Sequence, residues 1–370
     1  MPNRPARRSK RPPTPTLVRP TAIIEGTPTR VTVIGSGSWG TTLAALVADV
    51  GGACVLWVHD PAEADAMARL RENTRFLPGI PLPDTLTITH DAAAALDGAD
   101  VVVLAVPMRR LAENLERLGR WLPPSAILVS GIKGLDPPTG ARVSEALAEL
   151  VGGDLTDRFA VVSGPNFARE IAAREPAATV VASADPEVAR TVQRALRAPW
   201  FRAYTSDDVI GVELAGSLKN VIAIGAGMAD GLRSSQNGKA VLMTRGLAEM
   251  TRLGVAAGAN PLTFSGLAGV GDLIATCGSA KSRNHYVGSQ LAQGRPLDEI
   301  TAQMVMVAEG VEAARGALRL AQRLRVEMPI VELMNVVLFE GMPVSEAGQR
   351  LMAREPSHEL WGIGGQGQQS

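Results

Sequence analysis

Cysteine and histidine are scarce in this chain, and their scarcity removes one class of site. The 370 residues include two cysteines and four histidines. Neither Cys54 nor Cys277 belongs to a C-x-x-C pair or stands near histidines at ligand spacing, so the sequence predicts no metal site. Two isolated thiols are typical of proteins in a reducing cytosol. We therefore expect a cytoplasmic protein.

The chain also has no uninterrupted apolar run long enough to cross a bilayer, although 46% of its residues are hydrophobic. We therefore expect a soluble protein without stable membrane insertion. The length of the chain predicts two domains with enough residues to bury a core.

Net charge is absent as well, since 37 basic residues balance 37 acidic ones. The charges are unevenly distributed, because residues 1–24 hold six basic residues and no acidic residue. The remainder has 31 basic and 37 acidic residues, a formal charge of −6. The net negative charge of the chain after residue 24 argues against binding of nucleic acid.

The basic leader, residues 1–29, is rich in proline and is predicted to be disordered. The last residues, 362–370, are rich in glycine and glutamine and are predicted to form a flexible tail. The leader lacks the apolar segment of a secretory signal. A targeting peptide, a binding tail and a leader without function remain alternatives.

Residues 30–204 alternate short strands with helical segments. The runs RVTVIG, ACVLWVHD, ADVVVLAVP, SAILVSG and RFAVVSG are mostly apolar or β-branched and end in glycine, proline or a polar residue, which is typical of strands. Their alternation with helices predicts an α/β fold, a doubly wound parallel sheet of the Rossmann type. After residue 204 long alanine- and leucine-rich segments follow, so residues 205–361 are predicted to form an all-α domain.

The turn GSGSWG, from Gly35 to Gly40, follows the first strand and opens a helix. In that context the pattern G-x-G-x-x-G predicts a dinucleotide site. Gly35 permits the tight turn, Gly37 lets the backbone approach a pyrophosphate, and Gly40 lets the helix pack on the strand. The N-terminus of the helix then faces the phosphates.

The second strand ends at His59 and Asp60, where the ribose of the adenosine is expected. An acid at this place bonds the ribose 2′-hydroxyl and favours NAD. His59 comes first along the chain and could face either the ribose or a 2′-phosphate. The expectation is therefore use of both NAD and NADP.

A single lysine, Lys219, is the only charged residue between Glu213 and Asp230, in a stretch of small and apolar residues. A buried ammonium is costly unless it is paired or loses its proton. By itself, the pattern fits a lysine that extends its charged end to the surface.

Together with this lysine, the motifs of the chain resemble those of bacterial NAD(P)-dependent glycerol-3-phosphate dehydrogenases. The resemblance runs from about residue 31 to about residue 351. The motifs that carry it, in order, are GSGSWGTTLA, NTRFLPGIPLPDTL, SGIKGL, SGPNFARE, IGVELAGSLKNVIAIGAGMADGL, TRGLAEMTRLG, GLAGVGDLIATC, KSRN and AEG.

The resemblance implies a Rossmann domain followed by a helical domain. It also implies reversible hydride transfer between NAD(P)H and dihydroxyacetone phosphate, giving sn-glycerol 3-phosphate, the backbone for phospholipid synthesis. The implied partner is thus a small molecule, and a homodimer remains open.

Carried over position by position, the resemblance makes Lys219 the proton donor or acceptor and places Lys133 at the junction of cofactor and substrate. The other residues that it assigns to the substrate are Gly164, Asn166, Asp272, Ser282, Arg283 and Asn284. Those that it assigns to the cofactor are Ser38, Trp39, His59, Ala168, Arg283, Val307 and Glu309.

The residue types suit this chemistry. A lysine that acts as a base needs a pKa below its ordinary value of roughly 10.4, and apolar surroundings and nearby cations lower it. Lys133 or Arg283 would supply the cation, while Asp272 would hold the ammonium and limit the decrease. The guanidinium of Arg283 offers a planar fork to a phosphate. The simpler alternatives are a helix cap for Asp272 and a dipole-stabilising residue for Glu309.

The chain departs from the family pattern in three places. Asn166 stands where many members have serine or threonine, Arg174 and Glu175 stand where glycine is common, and AEG replaces VEG.

Two other functions are alternatives to this dehydrogenase. The first is a reductase of an unphosphorylated hydroxy acid, which would not need the cationic set of KSRN and Lys133. The second is a non-catalytic NAD(P) sensor, which would not need the lysine pair.

Overall fold

The computed structural model describes residues 29–356, 358 and 359. The predictions of a disordered leader and a flexible tail therefore lie outside the described residues, apart from residue 29.

The described residues form one sheet of eight strands at the N-terminal side of the chain. The strands are β1 (Val31–Ile34), β2 (Cys54–Trp57), β3 (Thr87–Thr89), β4 (Val101–Leu104), β5 (Ile127–Ser130), β6 (Phe159–Ser163), β7 (Ala177–Ala182) and β8 (Phe201–Ser206). Their order in the sheet is β3-β2-β1-β4-β5-β6-β7-β8. Every neighbouring pair is parallel except β6 and β7, which are antiparallel.

Among the described residues, seven α-helices lie between the strands and eight follow them. The first group is α1 (Ser38–Asp49), α2 (Pro61–Leu70), α3 (Ala92–Leu96), α4 (Leu111–Leu118), α5 (Val143–Val151), α6 (Ala168–Ala172) and α7 (Pro186–Ala195). The second group is α8 (Val209–Gly231), α9 (Gln236–Ala256), α10 (Asp272–Gly278), α11 (Arg283–Ala292), α12 (Leu297–Ala302), α13 (Glu309–Leu324), α14 (Pro329–Phe339) and α15 (Val344–Met352).

The predicted fold class, a doubly wound sheet followed by a helical part, is confirmed. The strands that the sequence predicted are β1, β2, β4, β5 and β6. They are buried along most of their length, as central parallel strands with helices on both faces should be. The strands that were not predicted, β3, β7 and β8, include both edges of the sheet, where partly exposed residues weaken the apolar pattern.

The helix α8 forms the centre of the helical part. Every residue from Gly211 to Met228 is buried. Among the described residues it is the one helix long and apolar enough to cross a membrane, but 89% of that apolar window is buried inside the fold. Its composition is therefore accounted for by a position inside the protein, surrounded by the other helices.

Small residues let α8 approach its neighbours closely. A Cβ atom at Gly227 would lie 2.0 Å from the His285 carbonyl oxygen, and one at Gly288 would lie 1.9 Å from the Ile224 carbonyl oxygen. These two glycines hold α8 and α11 in backbone contact.

The same helix also packs against the sheet. A Cβ atom at Gly216 would lie 2.5 Å from the Ser163 Oγ at the end of β6. Nearby, the buried carboxylate of Glu213 accepts bonds from Arg142 Nη1 at 2.7 Å and from Ser144 N at 2.8 Å. These contacts place Lys219 beside the carboxyl ends of the strands, where ligands bind in open α/β sheets.

Candidate active site

The glycine turn has the geometry that its sequence predicts. Gly35 has a φ of +113°, and a Cβ atom there would lie 2.7 Å from the Ala105 carbonyl oxygen. A Cβ atom at Gly40 would lie 2.0 Å from the Gly35 carbonyl oxygen. Both glycines are therefore required by the protein itself. By contrast, a Cβ atom at Gly37 would meet nothing within 4 Å, so this position is open to a ligand.

The turn leads into α1, whose N-cap is Gly37 and whose first residue is Ser38. The first turn of α1 carries no acidic residue, so its amide groups favour an anion. Trp39 follows, and its Nε1 is buried without a hydrogen-bond partner among the described residues. The open backbone and the free helix N-terminus together fit a pyrophosphate.

A residue outside the glycine pattern holds the turn in place. The side-chain amide of Asn73 donates to the Ser36 carbonyl oxygen and to Thr41 Oγ1, both at 2.8 Å. Asn73 begins the motif NTRFLPGIPLPDTL, and its exposed fraction is 2%. This motif therefore contributes a brace for the cofactor turn.

The end of β2 separates the two candidates for the ribose. The Asp60 carboxylate caps α2, accepting from Ala62 N at 2.8 Å and from Glu63 N at 3.2 Å. His59 is exposed beside it, and Arg117 Nη1 lies 2.7 Å and 2.8 Å from its two ring nitrogens. The structure thus engages Asp60 in the scaffold and leaves an imidazole and a guanidinium at the surface.

The two lysines share one carboxylate. Lys219 Nζ lies 3.0 Å from Asp272 Oδ1 and donates to Thr276 Oγ1 at 2.7 Å. Lys133 Nζ donates to Asp272 Oδ2 at 2.7 Å and to the Gly164 carbonyl oxygen at 2.9 Å. An ammonium has three protons, so each lysine keeps one proton for a ligand beyond these two contacts within the described part of the chain.

Burial dominates the electrostatics of this cluster. It lowers the pKa of Lys219 to about 8, and the positive charge of Lys133 acts in the same direction while Asp272 opposes it. Burial alone would raise the pKa of Asp272, but Lys133 and Lys219 hold it below its ordinary value. The cluster therefore combines an ionised carboxylate with a lysine that can exchange its proton near neutral pH.

A second group of predicted residues lies around the start of α11. Arg283 Nη1 donates to the Val307 carbonyl oxygen at 2.8 Å. Glu309 begins α13 and is half-buried, and its removal from solvent raises its pKa against the opposing effects of Arg283 and the two lysines. Arg283 itself is exposed, so its guanidinium is accessible from solvent.

Several of the predicted residues use their side chains to hold the scaffold. Ser282 caps α11 by accepting from His285 N at 3.3 Å. Asn166 donates to the Ala178 carbonyl oxygen at 3.0 Å and accepts from Thr179 Oγ1 at 2.9 Å. The asparagine makes these two bonds through separate atoms of its amide, Nδ2 and Oδ1, and so bridges two neighbouring residues of β7.

Asn284 and Ala168 also have scaffold contacts. The Asn284 side chain donates to Asn220 Oδ1 at 2.9 Å and accepts from Gly310 N at 3.0 Å. Ala168 begins α6, and its carbonyl oxygen accepts from Thr42 Oγ1 at 3.1 Å. These bonds tie α11 to α8 and α13, and α6 to α1.

Three residues at the site were missed from the sequence. Thr276 could have been found, because it lies four residues after Asp272 and therefore on the same helical face. Asn220 donates to the Lys133 carbonyl oxygen at 3.2 Å and stands next to Lys219 in sequence. Arg117 carries no local signal, because only the fold brings α4 beside the end of β2.

The described residues offer neither a metal-binding cluster nor a reactive thiol at this site. No group of three or more histidine, cysteine or acidic side chains there could hold a metal ion. Cys54 and Cys277 are both buried, and burial raises the pKa of each thiol to about 12. The titratable lysine is thus the group that the site offers for proton transfer.

Family models match both parts of the chain. The model described as NAD-dependent glycerol-3-phosphate dehydrogenase N-terminus matches residues 30–189. The model described as NAD-dependent glycerol-3-phosphate dehydrogenase C-terminus matches residues 208–349.

Individual relatives agree with the family models. The glycerol-3-phosphate dehydrogenase (NAD(P)+) of Prosthecochloris aestuarii is 45% identical over 330 residues, covering 89% of this chain and 99% of the relative. That of Frankia casuarinae is 48% identical over 330 residues, covering 89% and 98%. The crystal structure of glycerol-3-phosphate dehydrogenase from Coxiella burnetii has a TM-score of 0.82 and 36% identity, covering 88% of this chain and 99% of that chain.

The two family models together cover most of the chain in the order that the motifs predicted, and an NAD-binding Rossmann domain agrees with the expected NAD or NADP. The predicted family is therefore confirmed, and this chain belongs to the NAD-dependent glycerol-3-phosphate dehydrogenase family.

Proposed function

We propose that this enzyme interconverts dihydroxyacetone phosphate and sn-glycerol 3-phosphate, with Lys219 as the group that gives and takes the proton. The observation that carries the proposal is the Lys219–Asp272–Lys133 cluster at the carboxyl ends of the strands, beside the glycine turn. The cofactor supplies or accepts the hydride when it is bound. The residues that would hold it are those of the turn from Gly35 to Gly40.

Reduction of a ketone creates an alkoxide, which needs a proton as the hydride arrives. A general acid serves best when its pKa is near the working pH. With a pKa of about 8, Lys219 is mostly protonated at neutral pH and can still act as a base in the reverse reaction. Its bonds to Asp272 and Thr276 fix its direction and leave its third proton for the substrate oxygen.

Lys133 would position the substrate in the same cluster. Its ammonium is anchored by Asp272 and by the Gly164 carbonyl oxygen, so a negatively charged substrate meets a cation held in place. Asp272 in turn neutralises part of the charge of the two lysines. The cluster as a whole keeps a net positive charge and favours an anionic substrate.

Arg283 is the group that we assign to the substrate phosphate. Its guanidinium is exposed at the N-terminus of α11 and is held by the Val307 carbonyl oxygen. A guanidinium matches phosphate oxygens with two parallel donors, and the helix N-terminus adds a favourable dipole. Ser282 and Asn284 support this position through their scaffold bonds.

The test follows NADH and NADPH absorbance with dihydroxyacetone phosphate and with unphosphorylated dihydroxyacetone. Arg283→Ala should raise KM for the phosphorylated substrate at least tenfold, about 1.4 kcal/mol, and leave the poor rate with dihydroxyacetone unchanged. Arg295→Ala is a matched control, because this arginine follows the C-terminal end of α11, opposite to the end that carries Arg283, and donates to Gln290 Oε1. Equal weakening of both substrates would assign Arg283 to the cofactor or to the fold.

We also infer the organisation and setting of the enzyme. Residues 30–204 would bind the cofactor and residues 205–361 would supply most of the substrate site. The location is proposed to be cytoplasmic without stable membrane insertion, which the burial of α8 supports. A role in supplying the phospholipid backbone is consistent with the family, and a homodimer is left to measurement of the mass in solution.

A further inference from the structure

The surface at the end of β2 carries positive charge where a dinucleotide-binding fold often carries an acid. In such folds an acid there bonds the ribose 2′-hydroxyl, and an arginine nearby accommodates a 2′-phosphate. Here the acid, Asp60, is turned to the first turn of α2, where two backbone amides occupy one of its oxygens. Its place beside the ribose is taken by His59.

The guanidinium of Arg117 completes this surface from a different element. Arg117 lies near the end of α4, yet its Nη1 is within 2.8 Å of both ring nitrogens of His59. Its Cζ also lies 6.0 Å from the ring centroid of Trp57, the last residue of β2. The imidazole and the indole thus hold the guanidinium over the end of the strand.

The nearby carboxylates are engaged elsewhere. Glu113, one turn before Arg117, pairs with Arg110, and Asp60 caps α2. Within the part of the chain that the structure describes, no carboxylate lies at ion-pair distance from the Arg117 guanidinium. Its donors are therefore available to an anion that arrives from outside.

We propose that Arg117 is the specificity residue that selects NADPH over NADH, by receiving the 2′-phosphate of the adenosine ribose with His59 at its side. The guanidinium presents two parallel donors to phosphate oxygens. It has no comparable advantage for a neutral 2′-hydroxyl. The inference rests on the proposed function only in taking the turn from Gly35 to Gly40 as the dinucleotide site.

Binding of nucleotide fragments tests the proposal without any catalysis. Isothermal titration calorimetry at fixed ionic strength compares 2′,5′-ADP, which carries the phosphate, with 5′-ADP, which lacks it. The wild-type enzyme should bind 2′,5′-ADP more tightly. Arg117→Ala should weaken 2′,5′-ADP at least tenfold and 5′-ADP less than twofold, and Arg117→Lys should fall between the two proteins.

Arg120→Ala provides the matched control. Arg120 is an exposed arginine three residues away, whose guanidinium lies 5.0 Å from the ring centroid of Trp121 instead of at the strand end. Its removal should leave both affinities within twofold of the wild type. The same variants are then assayed with dihydroxyacetone phosphate. Arg117→Ala alone should lose kcat/KM for NADPH, while kcat/KM for NADH stays within twofold of the wild type.

Three results would overturn the proposal. The first is a wild-type enzyme that binds the two fragments equally, and the second is an Arg117→Ala variant that keeps its affinity for 2′,5′-ADP. The third is equal weakening of both fragments, which would assign Arg117 to the adenosine or to folding; circular dichroism of the variant separates these two. Failure of the dehydrogenase assay alone would leave the fragment results intact and would contradict the proposed function instead.

Discussion

The two halves of the cleft are built by opposite means. The cofactor half depends on backbone, since the Gly35–Gly40 turn and the amide groups of α1 form it with few charged side chains. The catalytic half depends on side chains, since two ammonium groups and one carboxylate are buried together between α8, α10 and the segment that follows β5. Substitutions in the backbone site should be tolerated when they change charge but not when they add side-chain volume. In the charged cluster, substitutions that change charge should be the damaging ones.

Removing the proton donor should produce the largest effect. Lys219→Met replaces a buried ammonium with an apolar group of similar length, and Asp272 keeps its bond to Lys133. The fold and NADH binding should persist, while kcat falls by roughly 10²–10⁴-fold, the usual contribution of a positioned acid or base. Steady-state kinetics together with quenching of protein fluorescence by NADH measures both quantities.

The control is Lys239→Met, which removes another lysine that is paired with an aspartate, Asp230 at 2.6 Å, but outside the catalytic cluster. Its kcat should stay within a few-fold of the wild type. Near-normal turnover in a folded Lys219→Met protein would show that the proton comes from another group.

Removing the shared carboxylate tests the balance of charge in the catalytic half. Asp272→Asn leaves the buried ammonium of Lys219 and the partly buried ammonium of Lys133 without their shared counter-ion, so the free energy of unfolding should fall by about 3–5 kcal/mol, as for other broken buried ion pairs. Thr276→Val keeps all three charges and should cost about 1–3 kcal/mol. Urea denaturation of the three proteins checks this order, and equal losses would mean that charge is not what matters here.

Asp272→Asn should also change the pH dependence of the reaction rate. Oxidation of sn-glycerol 3-phosphate needs the neutral amine of Lys219, so its rate should rise with pH through about 8, the pKa of that lysine, while ketone reduction should decline over the same range. Asp272 raises the pKa of Lys219, so Asp272→Asn should move the midpoint to lower pH. A midpoint that stays in place or moves upward would contradict Lys219 as the base.

The contrast between the halves also explains what the sequence could predict. The turn was found because its glycines and the preceding strand lie within ten residues of one another. Lys219 was recognised as unusual because it is a single charge in an apolar helix, but its role depended on the family resemblance. Lys219 is linked to Lys133 through Asp272. Lys133 is 86 positions before Lys219 and Asp272 is 53 positions after it, so no local sequence pattern specifies these contacts.

The residues that the sequence missed follow the same division. Arg117 reaches His59 only because α4 packs beside the end of β2. Asp60 is a candidate for the ribose by its sequence position, and in the structure its carboxylate caps α2. Asn166 was assigned to the substrate, whereas its side chain bonds β7. In each case the residue type fits two roles, and the direction of the side chain, which tertiary packing sets, is information that the sequence does not contain.

The smallest expected effect concerns cofactor choice, at the charged surface at the end of β2. His59→Asp puts a carboxylate beside the Arg117 guanidinium, where the two should pair. The new acid repels a 2′-phosphate and accepts a hydrogen bond from a 2′-hydroxyl. It also pairs with the Arg117 guanidinium, which is then less available to a phosphate. The ratio of kcat/KM for NADH to that for NADPH should rise at least about tenfold, or ~1.4 kcal/mol, chiefly through loss of NADPH use.

Asp60→Ala sharpens this last comparison, because the two neighbouring residues have different roles in the structure. The Asp60 carboxylate caps α2, so its removal should lower the free energy of unfolding by about 0.5–2 kcal/mol and leave the cofactor ratio unchanged. Kinetics with both cofactors and thermal unfolding separate the two outcomes. If Asp60→Ala instead improves NADPH use and His59→Asp does nothing, then Asp60 leaves its cap to bond the ribose, and the enzyme discriminates in favour of NADH.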